Sequence, residues 1–136
     1  VYTGPIDRFF NYKYGRLDYR SLQFETQELN IENYQGNAVV NYCDKTERFT
    51  RIIEHKHFSG VNTKSTIITK EYSFEFSEGA EPYYPVNNKL NSEKYNKYKS
   101  MIEPEKFIFG GRLATYKYYD MHQVIASALK ASDNEK

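Results

Sequence analysis

Apolar and polar positions alternate with a period of two through the first half of the chain and take a helical period near its end. Ser21-Leu22-Gln23-Phe24-Glu25-Thr26 alternates and predicts a half-buried strand. Further strands are predicted over Asn37–Tyr42, Arg48–Phe58 and Ser65–Phe76, with Gly60 and Asn62 as turn residues between the last two. Val1–Gly4 reads as a short strand entering a Gly-Pro turn. Asp7 is placed to cap a helix over Arg8–Tyr14, which Gly15 ends. Tyr83-Tyr84-Pro85-Val86 is short, and its flanking prolines confine it to an edge or a loop.

The later pattern is different. Asn91, Tyr95, Tyr98 and Ile102 share one helical face over Asn91–Ile102, with Asn91 or Ser92 as cap and Pro104 as stop. Phe107-Ile108-Phe109 predicts a compact apolar strand. Asp120 and Gln123 have capping-box spacing, and Met121, Val124, Ile125, Ala128 and Leu129 form one stripe of a last helix. Ser132–Lys136 is expected to fray. Antiparallel strands followed by helix, strand and helix make an α+β chain, with no internal repeat and no linker dividing it into independent domains.

Composition narrows the function classes. The 136 residues hold 19 Lys and Arg against 18 Asp and Glu, a formal charge of +1. That balance argues against a nucleic-acid or membrane-surface protein. A single cysteine, Cys43, leaves no internal disulfide framework and suits a reducing compartment, so a cytoplasmic location is expected. The 14 Tyr and 9 Phe, with no Trp, suit either a half-exposed sheet or a cleft for a polar ligand. The chain starts Val1-Tyr2-Thr3-Gly4-Pro5 without Met, and reads as the interior of a larger protein.

Few residues carry obvious chemistry. His55 and His57 fall on one face of the predicted strand, a spacing that can hold zinc, but no third ligand is evident. Cys43 reads as a small core residue rather than a nucleophile. Arg51 alternates with Phe49, Ile53, His55 and His57. It either pairs with a buried carboxylate such as Glu71 or awaits an anionic ligand. Gly110-Gly111-Arg112 lets the backbone approach something flat or bulky, or is simply a turn with an exposed arginine. The entry to the last helix offers free N–H groups to an electron-rich group, although simple capping by Asp120 explains the same residues.

Longer stretches are recognisable. Tyr2-Thr3-Gly4-Pro5-Ile6-Asp7, Tyr19-Arg20-Ser21-Leu22, Gly36-Asn37-Ala38-Val39-Val40-Asn41-Tyr42 and Thr50-Arg51-Ile52-Ile53-Glu54-His55-Lys56-His57-Phe58 resemble the bacterial UDP-galactopyranose mutase family. So do Glu81-Pro82-Tyr83-Tyr84-Pro85-Val86 and the run from Gly110 to Met121. The segments occur in order over nearly the whole chain and resemble the family's carboxyl-terminal part.

The resemblance implies a flavoenzyme that interconverts UDP-galactopyranose and UDP-galactofuranose through a flavin–sugar covalent intermediate, with FAD active in its reduced form. The flavin is then the nucleophile, and no catalytic side chain or metal is required. It implies substrate-binding roles for Asn41, Arg51, Glu71, Tyr83, Arg112 and Tyr118. Flavin contacts fall to Arg112, Tyr119, Asp120, Met121, His122, Gln123 and Val124. Between Tyr83 and Tyr84 the resemblance favours Tyr83.

It also implies an organisation. Residues 1–18 would belong to the FAD-domain side. Residues 19–105, with the helix over 91–102, would form an antiparallel-sheet substrate domain. Residues 106–136 would return as a strand–helix segment to an FAD-binding domain absent from the chain. The glycine-rich FAD fingerprint is missing, so the chain alone is expected to be inactive and to bind FAD and UDP-galactose weakly. The parent is expected to be a homodimer serving cell-surface galactofuranose glycans. A non-catalytic carbohydrate-binding module, or a scaffold with its arginines in internal ion pairs, are the competing readings.

Overall fold

A computed structural model describes residues 1–135. The elements are α1 (Ile6–Phe9), β1 (Tyr19–Leu29), β2 (Val39–Asn41), β3 (Arg51–Glu54), α2 (Lys56–Ser59), β4 (Thr66–Glu75), β5 (Tyr84–Pro85), α3 (Lys89–Lys99), α4 (Gly111–Ala114) and α5 (Met121–Asn134). The chain is α+β. Five strands pair in the order β2-β3-β4-β1-β5, antiparallel in each described ladder. Two compact units are present: Val1–Ser21 with Glu75–Lys136, and Leu22–Phe74.

The first unit is built on aromatic packing. Ile6, Leu17, Tyr19, Tyr98 and Tyr116 are buried together, with Phe10, Phe76, Tyr95, Ile102, Phe109 and Leu113 against them. Tyrosines suit this core because the buried hydroxyls find partners, backbone groups for Tyr98 and Tyr116 and the Asp7 carboxylate for Tyr19. Tyr98 donates to the Gly15 carbonyl and accepts from the Tyr14 amide, both at 2.8 Å. Asp7 is buried inside α1 instead of capping it. Its carboxylate takes the Leu17 amide at 2.8 Å and the Arg8 amide at 3.0 Å. Consequently α1 is only one turn, followed by turns that end at Gly15 with φ 83°.

The second unit packs Ile52 and Ile68 around a fully buried carboxylate, Glu54. The expected strand over Arg48–Phe58 is shorter, ending at Glu54. His55 turns helical, α2 follows, and Gly60 closes it in the left-handed region at φ 66°. This turn takes the two histidines off a common strand face. His55 Nε2 meets the Thr69 hydroxyl at 2.8 Å, while His57 Nε2 folds back to 3.1 Å from Glu54 Oε2. The Lys56 ammonium ties the turn to the carbonyls of Glu32 and Thr63.

Other expectations shift in detail. Asn88 caps α3 by accepting the Asn91 amide, so the helix starts at Lys89 and ends at Lys99. Asn91 is buried and donates to Asp18 and Val86 instead. Phe107–Phe109 is no strand. One parallel bridge joins Phe109 to Tyr2. The α5 capping box forms in both directions, and the helix runs from Met121 to Asn134, so it includes the first residues of the end expected to fray. Lys136 lies outside the described residues. No described helix is long and apolar enough to cross a membrane.

Candidate functional site

In the first unit the functional side chains gather around Arg112. Gly110 is extended, and Gly111 at φ 78° turns the chain into α4. Only Gly111 needs glycine for its backbone, while open space lies beside Gly110. The single turn of α4 then aims Arg112 inward. Its Nη1 donates to the Tyr83 carbonyl at 3.5 Å and its Nη2 to the Tyr119 carbonyl at 2.5 Å. The guanidinium carbon lies 4.6 Å from the Tyr84 ring centre and 5.4 Å from that of Tyr118. These two rings stack at 5.1 Å and 19°. Among the described residues no carboxylate lies within ion-pair distance of Arg112.

Neutral carbonyls and ring faces orient a guanidinium without cancelling its charge. The cluster therefore presents a net cation beside a Tyr118 ring that is 58% exposed. Tyr118 is delivered by a kink: Tyr116 has φ 48°, left-handed for a non-glycine residue, at a cost of roughly 1 kcal/mol. Burial raises the Tyr116 hydroxyl above the ordinary tyrosine range, so it remains a donor.

At the start of α5 the Asp120 side chain takes the Gln123 amide, and the Gln123 side chain takes the Asp120 amide at 2.8 Å. The Met121 and His122 amides stay at the open end of the helix, with the positive end of its dipole. Met121, Ile125 and Leu129 of the predicted stripe are exposed.

The second unit carries Arg51 on β3. Its register partners are Asn41 on β2 and Glu71 on β4, so the three share one sheet face. Arg51 Nε donates to Asn41 Oδ1 at 3.0 Å, and Nη1 lies 3.8 Å from Glu71 Oε2. The Arg51 side chain keeps 38% of its exposure against 9% for Glu71. The pair is long: the carboxylate neighbour read from the sequence is present, and the guanidinium is still partly exposed.

Glu54 faces the other side of the same strand. It accepts the Tyr34 amide (3.0 Å), the Gln35 amide (2.9 Å) and the Thr66 hydroxyl (2.7 Å). Burial by itself would raise this carboxyl. The donors, with His57 close by, outweigh it and hold the group at about 2. Glu54 thus fixes the strand that carries Arg51. Cys43 is exposed and not a core residue. No cluster of three or more His, Cys, Asp or Glu side chains is placed to hold a metal among the described residues.

The expected residues thus divide between two clusters: Tyr83, Arg112 and Tyr118 near α4 and the α5 entry, and Asn41, Arg51 and Glu71 on the sheet. Tyr83 joins the first by its carbonyl, and the ring under Arg112 is that of Tyr84. Sequence reasoning missed Tyr84 as a platform and Tyr116 as an anchor.

The UDP-galactopyranose mutase family profile matches residues 1–118. A Klebsiella pneumoniae protein named "Probable UDP-galactopyranose mutase" is 46% identical over 134 residues, covering 97% of this chain and 35% of that protein. The dTDP-fucopyranose mutase of Escherichia coli is 38% identical over 133 residues, covering 96% and 35%. The UDP-galactopyranose mutase of Mycoplasma genitalium is 38% identical over 137 residues, covering 96% and 34%. The chain therefore spans about a third of the length of the curated relatives it matches.

Proposed function

The chain belongs to the UDP-galactopyranose mutase family, and from that premise we propose that it forms part of an isomerase converting UDP-galactopyranose to UDP-galactofuranose. The observation that carries this reading is the uncompensated guanidinium of Arg112, fixed by carbonyls and rings beside exposed Tyr118. A nucleotide sugar that ring-contracts must release and recapture a diphosphate of about two negative charges, and guanidiniums hold such a group while it is detached.

In this reading Arg112 binds the diphosphate, and the Tyr83 and Tyr118 hydroxyls donate to its oxygens. In the second unit, taken by itself, Arg51 is assigned as a cationic substrate contact. Asn41 holds its Nε and offers an amide to the substrate, and Glu71 keeps the guanidinium from swinging away.

FAD is the cofactor this family reading implies. The residues present fit it on two observations: the head of α5, where helix geometry gives the Met121 and His122 amides no intrahelical partner, and the open space beside Gly110. Arg112 and the residues from Tyr119 to Val124 would hold it. Bound reduced FAD would supply the nucleophile for the anomeric carbon. Helix-end donors and an arginine stabilise negative charge on an electron-rich ring. The chain alone is proposed to bind neither FAD nor nucleotide sugar tightly, and flavin absorbance in the purified 136-residue chain would contradict that.

The test is turnover in the gene product that carries these residues, with UDP-galactofuranose and dTDP-fucopyranose as parallel substrates. Arg112→Ala and Arg51→Ala are each expected to lower kcat/KM about 30-fold or more, the loss of a charged contact worth about 2 kcal/mol. Near-normal turnover in either variant removes that arginine from the assignment. Preference for dTDP-fucopyranose would move the substrate to that of the Escherichia coli relative.

A further inference from the structure

The residues assigned to the ligand in the first unit are joined to the core through a buried phenol, Tyr116. Tyr116 lies between α4 and α5 and is 5% exposed. Its hydroxyl shares one proton between two carbonyls, Asp18 at 2.6 Å and Val86 at 3.1 Å. These carbonyls belong to the chain just before β1 and just after β5, the pair whose register sets Arg20 opposite Tyr84. The Tyr116 ring is gripped edge-on by Tyr19 at 5.4 Å and stacked by Tyr95 at 5.8 Å.

From this fixed point the backbone turns through its left-handed residue, and Tyr118 emerges two positions later onto Tyr84. The same turn is closed by the Lys117 amide on the Arg112 carbonyl at 3.1 Å and by Arg112 Nη2 on the Tyr119 carbonyl. The hydroxyl of Tyr116 thus ties β5, which supplies the Tyr84 ring, to the loop that supplies Tyr118 and receives Arg112.

We propose that Tyr116 is a positioning residue: its hydroxyl sets the spacing at which Arg112 lies over the Tyr84 and Tyr118 rings, and so sets affinity for a nucleoside diphosphate. The affinity part rests on the mutase reading, while the geometric part does not. Tyr95→Phe is the matched control, because it alters the same aromatic core and removes a hydroxyl that, unlike that of Tyr116, does not bond the Asp18 and Val86 carbonyls.

The experiment compares wild type, Tyr116→Phe and Tyr95→Phe in the gene product that carries the chain. It reads the ring-current shift of the Arg112 Hε resonance, UDP affinity by titration, and KM apart from kcat. For Tyr116→Phe the upfield shift of Hε is expected to collapse. UDP affinity should fall and KM rise about tenfold, with kcat within about threefold. Tyr95→Phe should leave all three as in wild type.

If Tyr116→Phe does not fold, 4-fluorophenylalanine at the same position fills the hydroxyl's volume without a proton to donate and serves the same comparison. An unchanged Hε shift in the variant, whatever its melting temperature, overturns the proposal. A collapsed shift with unchanged UDP affinity overturns its affinity part. Failure of wild type to bind UDP sinks the mutase reading instead, and the shift still decides the geometric part.

Discussion

Removing the negative charge of Glu54 should destabilise the second unit by an amount that disappears in acid. Glu54→Gln keeps the shape of the side chain but replaces one oxygen with an NH2 group. With nitrogen at the Oε2 position, it faces the Gln35 amide; with nitrogen at the Oε1 position, it faces the Tyr34 amide. Either orientation sets a donor against a donor in a fully buried place. The magnitude follows from linkage: a carboxyl held at about 2 against an ordinary 4.5 corresponds to about 3 kcal/mol of stability. Because the folded value is depressed, that stability is complete above pH 4.5 and is lost as pH falls toward 2. Urea unfolding of wild type and variant, from neutral pH down to about pH 2, reads the difference directly, since other carboxylates contribute equally to both. The variant should be weaker by about 3 kcal/mol at neutral pH and converge with wild type near pH 2. A gap that stays constant across this range would show that the charge is not what Glu54 contributes.

Tyr98→Phe leaves the Tyr14 amide and the Gly15 carbonyl without their shared partner and should cost about 2 kcal/mol in chemical denaturation. Gly111→Ala forces an L-residue to φ 78° and should cost about 1 kcal/mol or more. Gly110→Ala meets open space at an ordinary extended backbone and should leave the melting temperature unchanged while weakening FAD retention if the flavin passes there. Arg112→Lys should weaken UDP binding more than Arg51→Lys, because a lysine loses the flat contact with two rings, each worth about 0.5–2 kcal/mol. Titration of both variants with UDP gives the ratio, and the reverse order would refute the assignment of Arg112.

The elements with a strong local signal were legible. The alternation over Ser21–Thr26 and the capping box at Asp120 and Gln123 appear as β1 and α5. What escaped was decided by contacts far away in sequence. Alternation through His55 and His57 looks like a strand, but the Glu54 carboxylate collects donors from Tyr34 and Gln35, about twenty positions earlier, and the chain coils into α2 after it. Asn88 competes with Asn91 and Ser92 as a cap, and Asn91 loses because Asp18 and Val86 engage its amide nitrogen inside the fold. Arg51 and Glu71 were legible as a possible pair; that Asn41 shares their face follows from the ladder register, which alternation within one strand does not fix. Tyr84 and Tyr116 gave no such signal. In a chain with 14 tyrosines, ring stacking and a shared phenolic proton depend on side-chain positions that no short window encodes.

The two arginines also show why residue type alone is a weak guide to anion binding. Arg51 faces a buried carboxylate and an amide oxygen, so most of its field is answered locally before any ligand arrives, and an arriving phosphate must compete with Glu71. Arg112 is held by partners of no net charge, so orienting it consumes none of the field it can direct at a phosphate. The difference lies in the partners of the guanidinium, and those are set for Arg112 by the kink at Tyr116 and the edge strand carrying Tyr84. On this view binding strength at Arg112 depends on the rigidity of an aromatic frame. At Arg51 it depends on how readily the guanidinium exchanges one anionic neighbour for another, so an anion there has to displace Glu71 before it gains the full charge.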